Sequence, residues 1–68
     1  MGNVNIDGKI IEMLAEGRNL YYIIGFLKGT LEQKGNQEKA LAVYEEMSAN
    51  KEKPWDIIIF LKNSINNA

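Results

Sequence analysis

A chain of 68 residues and 7.7 kDa has room for one domain. Apolar residues make up 46% and charged residues 25%, which is the composition of a globular protein and not of a disordered segment. Eight Lys and Arg against nine Asp and Glu give a net charge of −1, without the basic excess that holds phosphate in nucleic-acid binders; His and Cys are both absent, which removes the commonest general base and metal ligand together with disulfides and thiolate chemistry.

Four helices are expected, in chain order. Asp7 can cap a first helix of about ten residues that runs through Ile10, Ile11, Met13 and Leu14 and stops at Gly17, with Ile10, Met13, Leu14 and Gly17 on one face. Asn19 caps a second helix over residues 20–34, whose stripe of Leu20, Ile23, Ile24, Leu27 and Leu31 has helical spacing. Gly35 ends it and Asn36 caps the next, a short joint that implies an antiparallel hairpin. The third helix covers residues 37–49 and should bury Ala40, Leu41, Tyr44 and Met47. After a polar connector at residues 50–53, Pro54 suits the first position of a fourth helix, with Asp56 in its first turn. Within residues 55–61, the run Ile57-Ile58-Ile59-Phe60-Leu61 could also be a buried strand; helix is the reading, because no second strand exists to pair with it. The ends, about residues 1–5 and 63–68, are expected to fray. The fold expected is thus a small all-α bundle of four short helices, built around the hairpin of the second and third.

Residues 24–47 resemble one tetratricopeptide unit. The segment Gly35-Asn36-Gln37-Glu38-Lys39-Ala40-Leu41-Ala42-Val43-Tyr44-Glu45-Glu46-Met47 has that family's glycine and Asn turn, with a small residue five positions after the glycine and an aromatic four beyond that. Ile24, Leu27 and Leu31 match its large apolar positions, and Ile58, Leu61 and Ile65 repeat them 34 residues later, which is the family's period. Lys28 and Met47 depart from its small positions, and Pro54 comes two residues late for its closing proline. The resemblance implies binding of a protein or peptide and transfers no binding residue. Residues 14–27 resemble, loosely, the first half of a helix-turn-helix DNA reader. A recognition helix would then start near Thr30, but Gly35-Asn36 interrupts it and Lys34 is its one basic contact.

Catalysis finds little support. Ser48, Ser64 and Thr30 have no histidine to activate them. Glu12, Glu16, Glu38, Glu45 and Glu46 read as solvated helix faces, not as an acid–base pair or metal site. The aromatic residues are more informative. Consecutive helical positions lie about 100° apart, so Tyr21, Tyr22 and Phe26 cannot all join the stripe of Leu20, Ile24 and Leu31. Gly25 and Gly29 lie four apart on the same side, where each costs about 1 kcal/mol relative to Ala. They either relieve crowding inside the bundle or admit another helix at an interface.

The expectation from sequence is a non-enzymatic protein–protein interaction module without a cofactor: a small cytoplasmic regulator, adaptor or inhibitor. Its contact surface would be Tyr21, Tyr22, Gly25, Phe26 and Gly29 on the second helix, with Trp55, Ile57 and Phe60 on the fourth. A core this small, without disulfides, makes a homodimer the expected state. Nucleic acid is not expected as a partner. Nor is a membrane, because the longest uncharged apolar run, residues 20–27, is far too short to span one. The competing classes are a helix-turn-helix-like DNA-binding regulator and a structural subunit of a larger assembly.

Overall fold

The computed structural model describes residues 5–67. Among these residues there are four helices and no strand: α1 (Ile6–Ala15), α2 (Leu20–Gln33), α3 (Glu38–Ala49) and α4 (Pro54–Asn66). Residues 55–61 are helical throughout, and the extreme ends expected to fray, residues 1–4 and 68, lie outside the described residues.

The helix boundaries follow from capping chemistry, with two corrections to the sequence reading. Asn5, not Asp7, caps α1: its side-chain oxygen accepts the Gly8 N–H at 2.9 Å. Either residue type caps well, but starting the helix at Ile6 puts Ile6, Ile10 and Met13 on one buried face. Leu14, expected on that face, is exposed. Gly17, at φ +84°, ends α1 in a Schellman motif, with Arg18 N–H donating to Met13 O and Gly17 N–H to Leu14 O, both at 3.0 Å. Asn19 caps α2 as expected, accepting the Tyr22 N–H at 2.8 Å. Gly35, at φ +73°, ends α2. Asn36 then continues the left-handed turn at φ +53° and so cannot cap α3; Gln37 takes that position without a side-chain bond. The α3–α4 corner repeats the Schellman pattern around Lys51 (φ +57°), with Glu52 N–H on Met47 O and Lys51 N–H on Ser48 O, both at 3.0 Å. Pro54 is the first residue of α4.

The core is Ile6, Ile10 and Met13 of α1, Ile23, Ile24, Leu27 and Leu31 of α2, and Ile57, Ile58, Leu61 and Ile65 of α4. Both apolar triplets separated by 34 residues therefore lie inside it. The helices pack most extensively as α2 against α4; α3 rests mainly on α4 and touches α2 over a short stretch. The bundle is thus centred on the α2–α4 pair more than on the α2–α3 hairpin. No residue of α3 is fully buried, and Ala40, Leu41, Tyr44 and Met47 lean half-buried against the core. In place of fraying from Asn63, α4 continues to Asn66, because Ile65 follows Ile58 and Leu61 onto the buried face.

The Cα atoms fill a slab of 33 × 29 × 14 Å. Helix axes pack about 8–10 Å apart and each carries its Cα atoms at about 2.3 Å from the axis, so the short dimension holds two layers of helices. Every helix therefore keeps an outward side, and large apolar residues outside the core stripes meet solvent.

Candidate interaction surface

Among the described residues two sets of large apolar side chains remain exposed, in different parts of the slab, and Val43 of α3 stands exposed apart from both. The first lines a groove of about 290 Å³ between α1 and α4. Ile10 and Ile58, both buried, form its floor. Asp7, Ile11 and Leu14 of α1 and Trp55, Ile59 and Lys62 of α4 line its sides, each set at i, i+4, i+7. Ile11 is 66% exposed and Trp55 45%. The Lys62 ammonium meets the Asp7 carboxylate at 3.2 Å, so the two charges that line the groove neutralise one another.

The second set lies on α2. With Ile23, Ile24, Leu27 and Leu31 turned into the core, the 100° step directs Tyr22, Gly25, Phe26 and Gly29 to the outer side, with Tyr21 flanking them. Tyr21 is 69% exposed, and Tyr22 and Phe26 are exposed as well. The Arg18 guanidinium stacks 4.7 Å from the Tyr22 ring centroid and also reaches Glu16 at 3.5 Å. A Cβ added at Gly25 or Gly29 would meet nothing within 4 Å. Crowding within the bundle therefore does not explain either glycine.

The structure divides the surface drawn from sequence. Tyr21, Tyr22, Gly25, Phe26 and Gly29 share the α2 face, whereas Trp55 belongs to the α1–α4 groove. Ile57 is corrected to a core residue at 4% exposure: α4 packs against both α2 and α3, and the wide arc it buries takes in Ile57 with Ile58. Phe60 is half-buried against the same core. Sequence reasoning missed Ile11, Leu14 and Ile59. A signal existed for each pair: Ile10-Ile11 and Ile58-Ile59 are neighbours about 100° apart, so a helix that buries the first turns the second aside.

Other chemistry has little material here. Besides Asp7, the acidic residues of α1 and its C-cap are engaged in exposed ion pairs, Glu12 with Lys9 at 3.8 Å and Glu16 with Arg18. Among the described residues no three carboxylates converge where a metal ion could sit, and no helix is long and apolar enough to cross a membrane. The separate helix that the helix-turn-helix resemblance expects near Thr30 is not formed: Thr30 lies inside α2, its hydroxyl donating to Phe26 O at 3.0 Å. Comparison with protein-family models, with characterised proteins and with solved structures finds no match to this chain.

Proposed function

We propose that this chain is a non-enzymatic protein-interaction module, a small cytoplasmic regulator, adaptor or inhibitor, and that the α1–α4 groove is its main contact site. The observation that carries this reading is the groove itself: four large apolar side chains, Ile11, Leu14, Trp55 and Ile59, stand exposed around one concavity. Exposed apolar residues gathered in this way mark association surfaces, and an aromatic residue beside a pocket is the usual anchor of one. The groove walls are helical, so they offer no free backbone edge to an extended peptide and no unneutralised charge to orient a polar ligand. A helix that presents an apolar stripe is the occupant such walls suit.

A photoreactive residue placed at Ile59, with a control at the exposed Glu45 of α3, tests the reading in cells. Protein adducts are expected from position 59 and not from position 45. Adducts at neither position, or the same adducts at both, would remove the groove as a contact site.

A further inference from the structure

The two exposed sets lie on one chain, and their shapes are opposite. The α1–α4 surface is concave, whereas the outer side of α2 is a single convex helix carrying two aromatic rings and two glycines. They also match in length. Tyr22 to Gly29, Asp7 to Leu14 and Trp55 to Lys62 are each eight residues, about 10 Å of helix from first to last.

The areas point the same way. Taking an aromatic side chain at about 220 Å², Tyr21, Tyr22 and Phe26 expose roughly 350 Å² between them. Ile11, Leu14, Trp55 and Ile59 expose a similar area, on the order of 350 Å². A stable interface buries about 800 Å² on each side, a little over half of it apolar. Each surface thus supplies most of the apolar part of one side of an interface, with polar groups around it left to supply the rest. A two-fold dimer through either one would leave the other in water, and two grooves set face to face would enclose a void, which close packing disfavours.

We propose that the outer face of α2 in one copy seats in the α1–α4 groove of the next, so that the chain associates head to tail with itself. The inference rests on the groove being a contact site and names its occupant. Phe26 and Tyr22 enter between Ile11 and Ile59, while Gly25 and Gly29 let the groove walls come close to the α2 backbone. Because the contact is heterologous, it repeats, giving a ring or a longer assembly rather than a closed pair.

The test is molar mass in solution, by light scattering over a hundredfold range of concentration. The wild-type mass is expected to rise past twice 7.7 kDa. Ile11→Asp blocks the groove and Phe26→Asp blocks the α2 face; both sites are exposed, so each variant should keep its helical circular dichroism and run as a monomer. Ile59→Asp, on the opposite groove wall, should repeat the Ile11 result. An equimolar mixture of the Ile11 and Phe26 variants is expected to form a one-to-one pair and stop there, since each brings the surface the other lacks. Three results would overturn the proposal: a wild type that stays monomeric, a mixture that stays monomeric, or association lost with Phe26→Asp yet unaffected by Ile11→Asp, which would be a two-fold contact of α2 with α2. A monomeric wild type that still gives adducts to other proteins from position 59 would overturn this inference alone and leave the interaction reading in place.

Discussion

Lys51 holds a backbone conformation that suits glycine, and it does so because the Schellman turn after α3 requires a left-handed residue there. Left-handed geometry costs a residue with a Cβ about 1 kcal/mol, so Lys51→Gly should raise stability in urea by about that amount. Gly17 occupies the matching position after α1, and Gly17→Ala should lower stability by a similar amount, about 1 kcal/mol. Gly25 behaves differently. It has open space around its Cα and sits inside α2, so Gly25→Ala should stabilise the isolated chain by about 0.5–1 kcal/mol. In the head-to-tail assembly the same methyl group would meet a groove wall, so the variant should melt higher when dilute and associate more weakly when concentrated. Gains in both would show that nothing approaches α2 at this point. In the core, Leu61 is fully enclosed, and Leu61→Ala should cost about 2–5 kcal/mol, a large share of the total for a domain of this size.

Among the helices, α3 is the least secured. It buries no residue completely, and its N-cap makes no side-chain bond. Amide hydrogen exchange should therefore be faster over Glu38–Ala49 than over the middle turns of α2 and α4; equal protection across all three would mean that the domain opens only as one unit. The same comparison explains what could be read in the sequence. Asn19, Gly17, Gly35 and Pro54 act within their own turns, and the boundaries they set were readable. The choice between Asn5 and Asp7 was not, since it depends on whether Ile6 has a core to enter. Neither was the burial of Ile57, which depends on how many neighbours α4 has. The α2 face was readable because Tyr21, Tyr22 and Phe26 could not share one stripe. The groove was not, because it needs α1 and α4, nearly forty residues apart in sequence, brought side by side.

Over the whole molecule, thinness decides how much apolar surface is left outside. In a slab two helices deep, each helix can hide little more than half its circumference, and nine isoleucines with six aromatic rings exceed what those inner halves hold. The surplus falls on two sides because the core stripe of α2 faces α4, while the flank of α4 beside α1 is open. Charge plays little part on either side: the groove holds one self-neutralising pair, and Arg18 beside Tyr22 is engaged with Glu16. Self-association should accordingly hold or strengthen as salt rises from about 0.05 to about 0.5 M, since screening weakens charged contacts and not apolar ones. A steep loss of mass over that range would mean that charged groups outside these surfaces drive the contact.

The pairing of α2 with α4 across an intervening helix also sets an order of events in time. These two helices cannot meet until the chain between them has closed a loop of about twenty residues, an entropic barrier of roughly 3 kcal/mol. Helices form and a loop of this length closes in about a microsecond or less, so the slow step is the packing of α2 against α4 that has to follow closure. Leu27 and Leu61 then belong to the folding nucleus, whereas Tyr44 on α3 joins after the barrier is crossed. Rapid-mixing or temperature-jump kinetics followed through Trp55 should show Leu27→Ala slowing refolding, and Tyr44→Ala mainly speeding unfolding. The helix that lies between the partners in sequence would then be the last to settle.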